Sequence, residues 1–213
     1  MITLTDVSVT YPDGFIAVTG VNLSVSRGEI VALTGPSGSG KSTLLRAVAG
    51  LVPVSSGAVT IEGHDQAGIP PHRRGVGMVF QNGQLFPHYS VGGNIAYGLP
   101  RRQRNPHGER VNELLELVGL SGFNDRDVST LSGGQAQRVA LARTLAPQPR
   151  VVLFDEPLSS LDADLKRDLA ADIRRIVTQV GETALYVTHD NSEAEIVADR
   201  VVALASLQSP GPH

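Results

Sequence analysis

The 213-residue sequence contains no cysteine, no large excess of charge of one sign and no long hydrophobic run. Without cysteine the chain cannot form disulfides, bind a metal through thiolates or use a cysteine nucleophile. Its 18 basic and 21 acidic residues give a formal net charge of −3, which provides no overall attraction to nucleic acid or to an anionic membrane. No apolar segment approaches the roughly 20 residues of a membrane-spanning helix, and the N-terminus does not resemble a secretory signal. We therefore expect any membrane role to depend on a partner protein.

Short runs rich in β-branched residues alternate with helical patterns, which predicts an α/β fold with a mostly parallel sheet covered by helices. The predicted strands of this sheet are residues 29–34, 77–80, 151–154, 184–188 and 201–205. Residues 2–11 and 21–28 instead alternate apolar and polar positions, which predicts antiparallel strands with one solvated face. Because ligands of open α/β sheets bind beyond the carboxyl ends of the strands, the loops after the first four parallel strands are expected to gather in one place.

Helical patterns suggest how the chain is divided. One amphipathic helix, with Asp162 as its N-cap and Gly181 at its end, is predicted from an apolar stripe; the stripe is Leu165, Leu169, Ile173, Ile176, Val177 and Val180. A shorter stripe, which ends at Gly119, consists of Val111, Leu114, Leu115 and Val118.

Residues 82–149 lack strand signals, so we predict a helical subdomain there, inserted into an α/β core of residues 1–81 and 150–205. Residues 100–107 are predicted to be its exposed connection. Residues 206–213 are predicted to form a disordered tail, and the whole chain to be one domain.

A glycine-rich loop, GPSGSGKST at residues 35–43, lies between a predicted strand and a predicted helix. The pattern GxxxxGKS/T in this position is typical of a phosphate-binding loop, and the alternative of a plain glycine turn is disfavoured by the flanking elements. Lys41 is expected to reach the terminal phosphates and Ser42 to ligate Mg²⁺. The other residues of this predicted cradle are Gly35, Pro36, Ser37, Gly38, Ser39, Gly40 and Thr43.

Four polar residues follow predicted strands. Asp155 and Glu156 end the run VVLFDE; Asp155 is expected to hold the magnesium shell, and Glu156 to orient a water for attack on a γ-phosphate. Gln81 is placed to contact both the metal and that water, and His189 to donate to the γ-phosphate. An acidic pair at a strand end is usually just a turn, and Gln81 and His189 taken alone are more typical of surface or capping positions. Only the shared placement at strand ends favours one catalytic site.

A second glycine-containing loop, LSGGQ at residues 131–135, precedes a predicted helix over residues 135–145. Ser132, Gly133, Gly134 and Gln135 would present backbone amides to an anion at the positive end of that helix. A single nucleotide bound in the first cradle does not need this second one.

In their order along the chain, GPSGSGKST, Gln81, LSGGQ, VVLFDE, SSLD and THD resemble the Walker A, Q-loop, signature, Walker B, D-loop and H-loop motifs of the ATP-binding-cassette (ABC) ATPases. The resemblance extends from about Tyr11 to His189. It implies a RecA-like P-loop NTPase core, an N-terminal antiparallel β subdomain, an inserted helical subdomain and magnesium-dependent ATP hydrolysis. It also implies that Tyr11 stacks on adenine and that Asp162 is the D-loop aspartate. Taken alone, Tyr11 could equally pack against a strand face.

Members of this family dimerise head to tail, and the LSGGQ loop of one protomer closes over ATP held by the P-loop of the other. The resemblance therefore implies a second ATPase subunit, expected to be an identical copy, and it gives each cradle its own nucleotide. Closure of such a dimer is a two-state change that can be coupled to movement elsewhere.

Residues 79–99 resemble the segment after the Q-loop in bacterial importers of maltose, polyamines, ferric iron, sulfate and thiamine. This resemblance implies a groove for a coupling helix of a membrane permease, a location at the cytoplasmic face of the membrane, an extracytoplasmic solute-binding protein and no nucleic-acid partner. The further C-terminal regulatory domain that is frequent in this group is not expected here. The groove's apolar surface would come from Leu85, Phe86, Pro87, Val91 and Ile95, with packing inside the subdomain as the alternative for each.

Two departures from the importer pattern stand out. Gly92 and Gly93 precede Asn94 where a small residue and a glutamate are common, which is expected to remove a charged contact and to loosen the start of the next helix. SSLD in place of the commoner SALD is a milder change.

Two other functional classes use the same kind of ATPase domain. An exporter or lipid-handling ATPase is disfavoured by the resemblance of residues 79–99. A soluble relative acting on DNA or ribosomes typically has a coiled coil, a second cassette or a basic extension, and the sequence shows no such repeat or charge run. A cassette that has lost hydrolysis is disfavoured because every expected catalytic residue is present.

Overall fold

The structure, a computed structural model, describes residues 1–81 and 83–208. Its strands are β1 (Ile2–Thr10), β2 (Ile16–Val25), β3 (Ile30–Thr34), β4 (Ser56–Ile61), β5 (His64–Asp65), β6 (Val76–Phe80), β7 (Val151–Asp155), β8 (Thr183–Val187) and β9 (Arg200–Ala203). Its helices are α1 (Lys41–Ala49), α2 (Val91–Tyr97), α3 (Glu109–Leu117), α4 (Gly133–Leu145), α5 (Ala163–Val180) and α6 (Asn191–Val197).

The central sheet has the strand order β6-β7-β8-β3-β9, and all of its neighbouring strands are parallel. Its strands correspond to the predicted ones, with ends shifted by one or two residues. Strands β3, β7 and β8 are buried along their whole length, as expected for a parallel sheet covered on both faces. The α/β prediction is therefore confirmed.

A second sheet is antiparallel, with the order β2-β1-β4-β5. Strands β1 and β2 confirm the predicted N-terminal antiparallel pair. Strands β4 and β5 were not predicted, because their residues 56–65 are interrupted by Gly57 and Gly63, both at positive φ.

Alternate residues of the central strands face two different hydrophobic clusters. Val152 and Phe154 of β7 pack in the cluster formed with α2–α6. Val151 and Leu153 of the same strand pack in the cluster formed with α1 and the antiparallel sheet. The parallel sheet is therefore the middle layer, and its strand ends are held rigidly from both sides.

Helices α2, α3 and α4 lie within the segment predicted to be helical and inserted. Gly98, just after α2, permits a close approach to α4, because a Cβ there would lie 2.3 Å from the Arg143 carbonyl oxygen. The connection at residues 100–107 is exposed along nearly its whole length, as predicted, and contains a short 3₁₀ turn at Arg101–Gln103.

The amphipathic stripe of α5 is confirmed, since Leu169, Ile173, Ile176 and Val177 are buried. Gly181 ends the helix in the left-handed conformation at φ 71°. Asp162 occupies the N-cap position but makes no side-chain capping hydrogen bond, so its carboxylate does not cap the helix as predicted.

The predicted loosening at Gly92 and Gly93 is wrong. Helix α2 begins at Val91, and the Ser90 hydroxyl caps it by accepting from the Gly93 amide at 3.2 Å. A Cβ at Gly92 would lie 2.6 Å from the Pro106 carbonyl oxygen, so glycine is needed there for close packing.

The predicted disordered tail is wrong for its first residues. Residues Leu204–Ser206 form a 3₁₀ turn, the Leu207 carbonyl accepts from the Asn22 amide, and the Gln208 side chain accepts from the Thr19 amide. These bonds to β2 order the segment. Residues 209–213 of the predicted tail lie outside the described residues. None of the described helices has the length and apolar character to span a bilayer.

Candidate active site

The glycine-rich loop connects the buried strand β3 to helix α1, as predicted. Gly38 and Gly40 both have positive φ, at 79° and 93°. A Cβ at Gly40 would lie 2.3 Å from the Ala17 carbonyl oxygen, so only glycine fits between the loop and β2. The loop therefore opens directly at the N-terminal end of α1, where the first amides of the helix have no partner within it.

Lys41 is folded back into this loop. Its ammonium group donates to the carbonyl oxygens of Gly35 and Pro36, each at 2.8 Å, and the side chain is almost fully buried. It also lies 3.9 Å from the Glu156 carboxylate. A buried cation held only by loop carbonyls and a distant carboxylate remains available to an incoming anion.

The loop residues fit a phosphate ligand. The Ser39 hydroxyl oxygen is buried and has no hydrogen-bond partner among the described residues. A buried hydroxyl without a partner is unfavourable, and a phosphate oxygen would satisfy it. At the rim of the loop, the Tyr11 hydroxyl lies 3.1 Å from the Thr43 hydroxyl, and the Tyr11 ring stacks on the exposed Phe15 ring.

Ser42 and Asp155 face each other across the cleft. The Ser42 hydroxyl donates to the Asp155 carboxylate at 2.5 Å, and Arg46 donates to its other oxygen at 3.3 Å. Hydroxyl and carboxylate oxygens are the ligands that Mg²⁺ prefers, and Mg²⁺ usually takes few of them from a protein. Within the described part of the chain there is no cluster of three or more acidic, histidine or cysteine side chains that would bind a metal by itself.

Glu156 is held in an uncommon backbone conformation at φ 46°, directly after β7. Its amide donates to the Val187 carbonyl at 3.0 Å, and the Ser159 hydroxyl donates to its carbonyl at 3.0 Å. Its carboxylate lies 3.1 Å from the His189 Nδ1 atom. Left-handed geometry in a residue other than glycine is found preferentially at functional sites.

The predicted residues at the ends of strands β6, β7 and β8 do come together. Gln81 lines a cleft together with Asp155, Glu156 and the loop residue Ser42. His189 joins this group through its contact with Glu156. The complete lining of this cleft, called the P-loop cleft below, is Ser37, Gly38, Ser42, Arg46, Phe80, Gln81, Gln84, Asp155 and Glu156.

The LSGGQ loop lies outside that lining. Ser132 and Gln135 form a reciprocal capping box at the start of α4, which begins at Gly133, two residues before the predicted start. Ser132 and Gly133 are exposed. A Cβ at Gly133 would lie 2.8 Å from the Leu161 side chain, so this loop contacts the SSLD segment within the same chain.

A buried polar pair lies next to His189. The Tyr186 hydroxyl of β8 donates to the Glu193 carboxylate of α6. Burial raises the pKa of Glu193 above its ordinary value, and burial together with the Glu193 charge raises the pKa of Tyr186 well above its own. Asp190 caps α6, and hydrogen bonds from Ser192 lower its pKa. This pair ties α6 to β8 immediately before the histidine.

The segment after Gln81 presents an exposed aromatic cluster. The Phe86 ring lies 4.5 Å from the Tyr97 ring and 6.0 Å from the Tyr89 ring, and both tyrosines are exposed. We call these residues the aromatic platform. Leu85 and Phe86 are half-buried and Pro87 is exposed, but Val91 and Ile95 are fully buried. The expectation that Val91 and Ile95 offer docking surface is therefore wrong, because they pack inside the helical segment.

Two residues that hold this segment were missed by the sequence analysis. Asn94 is buried and exchanges hydrogen bonds with the Phe86 backbone, while its amide also donates to the Tyr89 and Ser90 carbonyls. Arg143 of α4 donates to two carbonyls of the segment. A polar residue on the apolar face of a helix was the available signal for Asn94.

Comparison with known proteins identifies a family and several relatives. Residues 18–159 match the family model described as ABC transporter. The Fe(3+) ions import ATP-binding protein FbpC of Streptomyces coelicolor is 54% identical over 86% of this chain and 53% of its own length. The sulfate/thiosulfate import ATP-binding protein CysA of Mycolicibacterium paratuberculosis is 50% identical over 95% of this chain and 56% of its own length. The chain thus spans about half the length of these curated relatives.

A solved structure gives the same fold. The ATP-binding cassette MJ0796, a dimer in a post-hydrolysis state bound to ADP and Pi, superposes with a TM-score of 0.79 at 31% identity, covering 96% of this chain and 94% of that one. The matched family model, the identity to the two import proteins and this superposition all indicate the same family. The chain belongs to the ABC transporter family of ATP-binding cassettes.

Proposed function

We propose that this protein binds and hydrolyses ATP as the ATPase subunit of a bacterial solute importer. The observation that carries the proposal is the convergence of Lys41, the Ser42–Asp155 pair and the Glu156–His189 pair on one cleft. The Fe(3+) and sulfate/thiosulfate import proteins to which the chain is similar support the import function.

Each side chain has a proposed role in hydrolysis. Lys41 and Ser39 bind phosphate oxygens, and the Tyr11 ring stacks on the adenine. Ser42, Asp155 and Gln81 would hold Mg²⁺, which would neutralise charge on the phosphates. Glu156 accepts hydrogen bonds from the attacking water, and His189 donates to the γ-phosphate. The contact between His189 and Glu156 orients both residues.

The active form is proposed to be a dimer of two copies of this chain. The signature residues Ser132, Gly133, Gly134 and Gln135 do not line the chain's own P-loop cleft, and Ser132 and Gly133 are open to solvent. In the dimer they bind the nucleotide held by the partner subunit, and Asp162, next to Leu161, lies at the same interface.

A membrane permease is the proposed third component, docked on the aromatic platform. Exposed Tyr89 and Tyr97 supply large apolar contacts with polar ends, a composition that is enriched at protein interfaces. Docking there places the protein at the cytoplasmic face of the membrane. A solute-binding protein outside the membrane completes the importer, and no nucleic acid takes part.

The Glu156→Gln variant tests the catalytic and the dimeric claims together. Loss of the base is expected to slow hydrolysis by about 100-fold or more, so the ATP-bound dimer accumulates and is seen by size-exclusion chromatography with light scattering. Glu116→Gln, at an exposed position on α3, is the control and is expected to remain active. A variant that stays monomeric in saturating ATP would contradict the shared site, and unchanged hydrolysis would contradict the role of Glu156.

The import claim is tested by purification from gently solubilised membranes of the source organism. Recovery of a polytopic permease with the unmodified protein, and its loss with Phe86→Asp, supports docking at the aromatic platform. Recovery of ribosomes or DNA-repair factors instead would contradict the transporter assignment while leaving the ATPase assignment intact.

A further inference from the structure

Arg143 joins the two functional ends of the segment that follows β6. Gln81, at the start of this segment, lines the P-loop cleft, and Phe86, five residues later, belongs to the aromatic platform. Arg143 lies on α4, near the other end of the helical segment in sequence. Its guanidinium donates to the Gly83 carbonyl and to the Gln84 carbonyl, both at 2.9 Å. The same guanidinium carbon lies 5.0 Å from the centre of the Phe86 ring.

The backbone that Arg143 holds is a tight turn. Gly83 and Gln84 both have positive φ, at 60° and 44°. Glutamine rarely adopts that conformation, so the turn needs support from its surroundings. The two carbonyls accept from the two terminal nitrogens of one guanidinium, a two-point contact that the point charge of lysine does not match.

Arg143 has no carboxylate partner within the described residues, where its recorded contacts are the two carbonyls and the ring. Burial lowers its pKa from the ordinary value. A half-buried arginine that forms no ion pair is usually retained for hydrogen bonding in a fixed direction. Its helix is also fixed, because α2 packs through Gly98 onto the Arg143 carbonyl.

We propose that Arg143 is a positioning residue for ATP hydrolysis, which holds the Gly83–Gln84 turn so that contact at the aromatic platform sets the position of Gln81. This inference rests on the proposed ATPase function. Arg143 touches neither the P-loop nor the residues proposed to bind Mg²⁺, so it acts through the turn alone. When Phe86 moves, its ring contact with the Arg143 guanidinium changes and the guanidinium shifts. The hydrogen bonds from the guanidinium to the Gly83 and Gln84 carbonyls then shift the turn.

The first test separates turnover from nucleotide binding in the full chain. Arg143→Gln is expected to lower kcat for ATP by about tenfold, as for a misplaced catalytic group, and to leave KM and the affinity for ATP unchanged. Arg143→Lys restores part of kcat, because one donor still reaches a carbonyl. Arg126→Gln is the matched control, since Arg126 also lies over a ring, that of Phe123, and donates to a hydroxyl, but does not contact the turn. An equal loss of kcat in Arg126→Gln, or an unchanged kcat in Arg143→Gln, overturns the inference.

The second test observes the turn directly and uses the absence of native cysteine. A nitroxide on Gln84→Cys reports motion of the turn, and a nitroxide on Gln179→Cys, an exposed position on α5, reports the remainder of the fold. Arg143→Gln is expected to sharpen the spectrum at position 84 only, and Arg143→Lys to sharpen it less. No change at position 84, or equal changes at both positions, identifies Arg143 as an ordinary packing residue. If the unmodified protein has no ATPase activity, the proposed function is contradicted. The spectra still show whether Arg143 holds the Gly83–Gln84 turn.

Discussion

The two glycine-containing loops of this chain differ in the functional side chains that surround them. The loop at residues 35–43 is surrounded by a buried lysine, a hydroxyl–carboxylate pair and a carboxylate–histidine pair, all of its own chain. The loop at residues 131–135 has a helix N-terminus and a capping box, and its exposed serine and glycine face solvent. The first loop is surrounded by most of the groups of the proposed hydrolysis site, whereas the second offers only the N-terminus of a helix.

In the proposed dimer, this difference divides the work of hydrolysis between the two copies. Groups that must be aligned to within fractions of an ångström lie on rigid strand ends in one chain, because misplacement of a catalytic group lowers the rate steeply. The second loop adds amides and a helix dipole, which stabilise an anion over a broader range of positions. In the proposed dimer, only the second loop comes from the partner, so hydrolysis would depend on closure while each copy still binds ATP.

The largest expected effect that separates the two loops is that of Ser132→Arg. The arginine removes the capping box and fills the exposed helix end, so turnover is expected to fall by about 100-fold or more, the size seen when an anion-stabilising group is lost. The affinity of the monomer for ATP is expected to be unchanged, because Ser132 is not part of the P-loop cleft. Phosphate release and isothermal titration with the isolated protein measure the two quantities. Weaker binding by the monomer would place LSGGQ in the same chain's pocket.

Lys41→Met is expected to change the affinity of the monomer for ATP, the quantity that Ser132→Arg leaves unchanged. Loss of hydrogen bonds between the ammonium group and phosphate oxygens weakens ATP binding by the monomer about 10- to 100-fold, as for hydrogen bonds to charged groups. The sequence contains one other lysine, Lys166 on α5, and Lys166→Met is therefore a matched control. Titration calorimetry gives both affinities. Equal weakening in the two variants would mean that total charge, rather than the position of Lys41, governs binding.

Sequence reasoning found the P-loop cleft because its chemistry constrains residue type at fixed places. A lysine after a glycine-rich loop and carboxylates at the end of a buried strand are visible in single short stretches, and a parallel sheet brings such strand ends together. On this basis the sequence alone places Asp155, Glu156, Gln81 and His189 at one edge of the sheet.

The helical segment could not be predicted to the same depth, because its important contacts are distant in sequence. Arg143 binds carbonyls 59 and 60 residues away, and nothing near Arg143 in the sequence indicates that turn. Gly92 is a weak helix former by local propensity, yet its missing side chain is what admits the Pro106 carbonyl. Tertiary packing thus reversed the local prediction.

Gly92→Ala tests whether the close packing at Gly92 stabilises the helical segment without affecting the P-loop. The added methyl meets a backbone oxygen that cannot move aside, so the free energy of unfolding is expected to fall by about 1–3 kcal/mol. Gly93→Ala is the control from the same helix, since its Cβ would lie 3.1 Å from the Tyr89 Cβ atom, a less severe contact than the 2.6 Å to a backbone oxygen at Gly92. Urea unfolding measures both variants, and titration with ATP is expected to show that the P-loop still binds. Equal stability of the two variants would contradict the close-packing role of Gly92.

The smallest expected effect concerns Glu193, which is buried on α6. Because burial raises the pKa of Glu193 in the folded protein above its unfolded value near 4.5, folding favours the protonated form. The contribution of Glu193 to stability is therefore fully present below about pH 4.5 and is lost as the pH rises through the folded pKa. Asp190, with a lowered pKa, and the nearby Lys166 remain in both proteins, so they cancel in a comparison of variant with parent.

Glu193→Gln keeps an acceptor for the Tyr186 hydroxyl but cannot ionise. Its Tm relative to the unmodified protein is expected to increase by a few degrees as the pH rises from mildly acidic to neutral. Glu195→Gln, at an exposed position on the same helix, is expected to show no such trend. A difference in Tm that stays constant with pH would show that Glu193 ionises at its ordinary value. The Tyr186–Glu193 pair would then hold α6 near His189 by a fixed ionic hydrogen bond, with no dependence on protonation in this range.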